Sequence, residues 1–139
     1  MASYLSSIGF STDVYESRSD MRTNSTSAGR SINLALSARG IKALKDIGVY
    51  EKIRSTLIPM SGRMIHDENG NVQFQPYGQK KNEVIYSVSR SNLNKTLMDY
   101  AESTNSIKIN FDHELQGIDL KKLKLCFKNK IIPFNRILG

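Results

Sequence analysis

Residues 1–18 read MASYLSSIGFSTDVYESR, and the way this stretch folds decides the fold class. Tyr4, Leu5 and Ile8 share one helical face, and Gly9 stands where a helix stops. Residues 11–16 then alternate and end on the acid Glu16, as a short strand does. A helix end feeding a strand over so few residues points to a mixed α/β chain. No capping residue precedes the helix, and the expectation is that the chain is cut at both ends.

Outward from this stretch, residues 17–30 (SRSDMRTNSTSAGR) are polar and read as a loop. Helical spacing is clear from Ile41 onward, so 37–48 is predicted as a helix closed by Gly48, with a short helix near 50–55. Residues 62–67 and 72–77 flank Asn69-Gly70 and read as a β-hairpin with a tight turn. A strand at 83–89 leads into a helix at 89–101 with Leu93, Leu97, Tyr100 and Ala101 as its apolar stripe. Strands are expected at 107–111, 114–118 and 120–127, a turn at Asn129, and a last strand at 134–138.

Composition narrows the class. With 139 residues, 39% hydrophobic and 24% charged, the chain suits one ordinary domain and is too apolar to be disordered. Its single cysteine, Cys126, excludes an intramolecular disulfide and a four-thiolate zinc site, and reads as a small buried residue. No run of about 18 apolar residues occurs, and the N-terminus lacks the basic region and cleavage site of a secretory signal. A soluble protein of the cytoplasm is expected.

The net charge of +7 is local. Lys121, Lys122, Lys124, Lys128, Lys130 and Arg136 lie in residues 120–139 with no acid, which leaves 14 basic against 13 acidic groups elsewhere. Lys122, Lys124 and Lys128 fall out of step with Leu123, Leu125 and Phe127, as on a strand with one solvated face. Lysines on such a strand guard a sheet edge, and this reading is preferred to a nucleic-acid patch. His66 and His113 are far apart with no acid or cysteine cluster at ligand spacing, so no metal site is expected, and neither is a persuasive general base. No catalytic Ser-His-acid arrangement can be argued.

In a dinucleotide-binding unit, an acid at the end of the second strand accepts hydrogen bonds from a ribose, about 20 residues after a glycine-rich phosphate turn. Glu16 has the strand context. Its glycines would fall before Met1.

Five blocks occur in order: VYESR at 14–18, RSINLALSARG at 30–40, IPMSGRMIH at 58–66, PYG at 76–78 and SVSRSNLN at 87–94. Together they resemble the kynurenine 3-monooxygenase family of FAD-dependent aromatic hydroxylases, from residue 1 to about 117. The resemblance implies a partial FAD-binding, Rossmann-like region joined to part of a mixed β substrate sheet. The FAD-binding part would cover 1–57, the substrate hairpin and strand 58–89, and the return to the FAD region 90–139. It implies that Tyr15, Glu16, Ser17 and Arg18 hold the adenosine ribose, that Ala35 and Arg90 lie beside the flavin, and that Leu115 lies near the adenine. Arg63 and Tyr77 would grip the amino-acid end of L-kynurenine, and NADPH and dioxygen would be co-substrates. The flavin then carries the oxygen chemistry, in keeping with the lack of a protein nucleophile or base.

The same resemblance makes the chain an internal piece of a considerably longer protein, without its phosphate loop and without a later Asp-Gly segment. Such a piece would bind FAD weakly and turn over nothing alone. Three alternatives stay open: a related flavin hydroxylase with another aromatic substrate, a basic binding protein without enzymatic activity, and an inactive remnant.

Overall fold

The computed structural model describes residues 1–23, 32–80 and 82–138. Among these no helix is long and apolar enough to cross a membrane. The chain is mixed α/β and forms two compact units, Met1–Ala28 with Ala101–Gly139, and Gly29–Tyr100.

In the first unit, helix α1 (Ala2–Ser7) leads to strand β1 (Thr12–Tyr15), which pairs in parallel with β7 (Ile107–Asn110). Gly9 adopts φ +91, and the Gly9 and Phe10 amides turn back onto Ser6 and Leu5 carbonyls, so the predicted glycine stop is a hydrogen-bonded cap. Strands β8 (Leu115–Asp119), β9 (Lys124–Phe127) and β10 (Lys130–Pro133) form an antiparallel meander in the order β10-β9-β8. Ala101, Ile107, Leu125 and Phe127 are this unit's buried apolar residues.

In the second unit, β2 (Asn33–Leu36), β6 (Ile85–Ser89) and β3 (Ile58–Met60) form an antiparallel sheet in the order β2-β6-β3. Helices α2 (Ala38–Asp46) and α3 (Tyr50–Ile53) lie between β2 and β3 in sequence, and α4 (Arg90–Glu102) follows β6. The Ser89 hydroxyl accepts the Asn92 amide at 3.3 Å and so caps the start of that helix. Leu44, Val49, Ile53, Val88 and Leu93 form the core, with Leu34, Leu36, Leu97 and Tyr100 packed against it. Strands β4 (Gly62–His66) and β5 (Val72–Pro76) form a separate hairpin exposed along nearly all of its length.

Four expectations require correction. Residues 134–138 are not a strand. The turn at Lys128 and Asn129 sets Lys130 opposite Phe127, so the last strand comes earlier and ends at Pro133, which has no N–H to donate. Residues 120–123 are a turn rather than the start of β9, because the Asp119 carboxylate takes the Lys121 and Lys122 amides at 3.0 Å each. Strand β9 is central, paired on both sides, so its one lysine, Lys124, guards no edge, although the predicted alternation holds with Leu125 and Phe127 buried. The hairpin loop runs over 67–71, close to the turn expected at 68–71, but Asn69 does not share the positive φ expected of it. Only Gly70 there has positive φ, and Asp67 closes the loop by accepting the Asn69 and Asn71 amides. Strands β2 and β3 were not anticipated at all.

Candidate functional site

The site residues in the first unit cluster where β1 ends. The Glu16 amide donates to the Asn110 carbonyl, the His113 amide to the Glu16 carbonyl, and the Asp112 amide to the Arg18 carbonyl. Residues 16–18 are thereby stitched to the chain leaving β7, at the carboxyl ends of two parallel strands. Ligands of open α/β sheets bind outside that end. Further along, Arg22 donates to Asp20 at 2.6 Å and pairs with Glu102 at 2.5 Å, its guanidinium 5.6 Å from the centre of the Phe111 ring. This network pins the start of the loop.

Glu16 Oε1 accepts the Arg18 amide at 3.0 Å, Arg18 Nε at 2.9 Å and the Ser17 hydroxyl at 3.3 Å. Among the described residues Oε2 receives only Arg18 Nη2, at 3.4 Å. The Arg18 side-chain hydrogen bond, then its backbone N–H, hold the Glu16 carboxyl down to about 2 against the opposing effect of burial. The result is a carboxylate that is ionised at any ordinary pH, one-third exposed, and has acceptor capacity left on one oxygen. A vicinal pair of ribose hydroxyls needs such an acceptor, so the residues present fit the adenosine end of FAD.

A folded-state value below the unfolded one favours the folded state above about pH 4.5, and that contribution is lost as pH falls toward 2. The contribution is small, because Arg18 is 84% exposed and only two residues away, so solvent screens the pair. Arg18→Ala should bring the Glu16 midpoint back up toward the usual carboxylate range, as read from its side-chain carbonyl shift by NMR. An unchanged midpoint would assign the shift to some other group.

Tyr15 turns inward: its ring lies 4.9 Å from Phe127 and 5.8 Å from His113, and burial, then Asp13, pushes its hydroxyl pKa up. Its side chain is therefore committed to packing. Leu115 begins β8 opposite Phe127, next to an irregularity in register, and is 43% exposed.

In the second unit Ala35 lies opposite Ser87 on β2, exposed on the face away from Leu34 and Leu36. Arg90 is the exposed first residue of α4, one step past Ser89, which pairs with Asn33. The structure thus puts Ala35 on β2 and Arg90 just past the end of β6, the strand with which β2 pairs.

On the hairpin, Arg63 stands opposite Gln75, and the Tyr77 amide donates to the Ser61 carbonyl at 3.0 Å. Alternation puts Arg63, Ile65, Gln73, Gln75 and Tyr77 on one, mostly polar, face, and Met64, His66, Val72, Phe74 and Pro76 on the other. Arg63 Nε donates to Gln75 Oε1 at 2.7 Å, which steers the guanidinium; among the described residues neither terminal nitrogen has a partner, so both can fork onto a carboxylate. Gln75 was not singled out from the sequence. Its role follows once the length of the hairpin loop fixes the register. Among the described residues no three potential ligands come together as a metal site.

No family model matches the chain. Among curated proteins it is 42% identical over 127 residues to kynurenine 3-monooxygenase of Legionella pneumophila (strain Corby), covering 91% of this chain and 28% of that enzyme. It is 48% identical over 114 residues to kynurenine 3-monooxygenase of Sus scrofa, covering 82% of this chain and 24% of that enzyme. The crystal structure of CtdE in complex with FAD and a substrate matches at a TM-score of 0.71 and 13% identity, over 94% of this chain and 32% of that one. That likeness shows a shared fold. The chain spans 28% and 24% of the length of these two curated relatives, and over that span it is similar in sequence to kynurenine 3-monooxygenase.

Proposed function

We propose that this chain is part of an FAD-dependent, NADPH-consuming monooxygenase, placed in the cytoplasm, that hydroxylates L-kynurenine to 3-hydroxykynurenine. The observation that carries the reading is Arg63, aimed by Gln75 and sharing the polar face of the hairpin with Tyr77, in a segment 42% identical to a kynurenine 3-monooxygenase.

Each residue then has a task. The Arg63 fork takes the substrate carboxylate, a planar match of donors to acceptors. Tyr77 adds an apolar wall and one hydroxyl. The Glu16 carboxylate, kept ionised by Arg18 and Ser17, accepts the ribose hydroxyls, with Tyr15 holding the strand end in place by packing. Leu115 lies near the adenine, Ala35 offers backbone beside the flavin, and Arg90 supplies positive charge there. FAD, when bound, supplies the redox chemistry with NADPH and dioxygen. Residues 1–57 and 90–139 would serve the cofactor, and 58–89 the substrate.

The test is a chimera in which this chain replaces the matching segment of the Legionella pneumophila enzyme. L-kynurenine should accelerate its NADPH oxidation. Arg63→Ala should raise the KM for kynurenine about 10–100-fold, the worth of a hydrogen bond to a charged group, with FAD content unchanged. Tyr77→Phe should raise it by a smaller factor. If Arg63→Ala strips the flavin and leaves KM alone, Arg63 does not bind substrate.

A further inference from the structure

The central position of β9 removes the ordinary explanation for the lysines around it, and the turn that precedes β9 shows what else they are near. Between β8 and β9 the chain reads Leu120-Lys-Lys-Leu-Lys124, and residues 120–139 hold no acid. Leu120 is 68% exposed and Leu123 46%, with Lys121, Lys122 and Lys124 exposed between and beside them. Two leucines exposed to this extent at the tip of a hairpin cost free energy in water.

The turn is also held in shape. Asp119 Oδ1 accepts the Lys121 and Lys122 amides at 3.0 Å each, so the nearest carboxylate is engaged with the turn's own backbone. Leu123 sits at φ +51, a left-handed conformation that disfavours a residue with a Cβ. The Phe134 amide secures it by donating to the Leu123 carbonyl at 2.9 Å. A strained leucine kept outward among lysines suits a surface that is apolar beneath and anionic on top. Lysines sit on acidic headgroups while short apolar side chains reach the acyl boundary. Nucleic acid would use the lysines but leave both leucines in water, and the tip has no aromatic ring on which bases could stack.

We infer that the 119–124 turn docks on an anionic lipid surface, with Leu120 and Leu123 inserted and Lys121, Lys122 and Lys124 on the headgroups. The full chain should co-sediment with vesicles of 70% phosphatidylcholine and 30% phosphatidylserine, and not with pure phosphatidylcholine. Each lysine near such a surface adds about five-fold to partitioning, so Lys121→Gln with Lys122→Gln should weaken it about 30-fold. Leu120→Ser with Leu123→Ser should weaken it at least about ten-fold, for the lost apolar transfer. Lys52→Gln with Lys95→Gln, in the other unit, should leave it as it was.

Because the chain has no tryptophan, Leu120→Trp gives a direct readout. Its emission should move to the blue on the anionic vesicles and be quenched by brominated acyl chains. Equal binding to both vesicle types would overturn the inference. So would undiminished binding of the serine pair, an unshifted tryptophan, or tighter binding to a single-stranded RNA than to the vesicles.

Discussion

Ile53→Ala should lower the unfolding free energy of the second unit by about 2–5 kcal/mol, the range for truncating a fully buried isoleucine. Ile53 has no solvent exposure, and neither does Val49; with Val88, these are the most completely buried side chains described. They join α3 and the segment after α2 to the middle strand of the β2-β6-β3 sheet. Only five buried residues make up this core, so few neighbours can relax into the space left. A domain holds about 5–15 kcal/mol in reserve, and the loss is a large share of that. Urea titration followed by circular dichroism should show an earlier midpoint with similar slope. Ile58→Ala, at a side chain 62% exposed, should move it little. If the two variants behave alike, this cluster is not what holds the unit together.

Gly62→Ala should open the hairpin that carries Arg63. A Cβ at Gly62 would stand 2.7 Å from one Phe74 ring carbon and closer still to another and to the Gln75 carbonyl oxygen. The ring could swing away into solvent, since Phe74 is 51% exposed. The carbonyl belongs to the paired strand and cannot yield without breaking the ladder. Overpacking of this kind costs about 1–3 kcal/mol. An isolated two-stranded hairpin has little stability to spare, so the register around Arg63 and Gln75 should be lost. Amide exchange of residues 62–66 and 72–76 should become fast while that of α4 is unchanged. In the Legionella pneumophila chimera the KM for kynurenine should rise as far as with Arg63→Ala. Retained exchange protection would mean that the strands part at Gly62 without strain.

Much of the fold is legible in the residues. Gly9 and Gly48 stop helices in the structure as they do in the sequence, because a positive φ after a helix is a local demand that few other residues meet. The hairpin and the long helix 90–102 are equally local. Strands β2 and β3 were illegible because each is short and exists only through pairing with β6. Residues 33–36 alternate, but next to a helical run that alternation looks like part of the helix.

The same divide runs through the candidate site. The residue types were set by the sequence: an acid after a strand, an arginine and a tyrosine in ordered blocks, and lysines out of step with leucines. Only tertiary structure decided what those residues face. The ladder across the hairpin put Gln75 beside Arg63, and packing turned the Tyr15 ring onto Phe127. Pairing on both sides made β9 central and left its Lys124 without an edge to guard. Residue identity and local backbone preference are written within a few positions of each other. A strand's neighbours lie tens of residues away, and only burial and hydrogen bonding across that distance choose them.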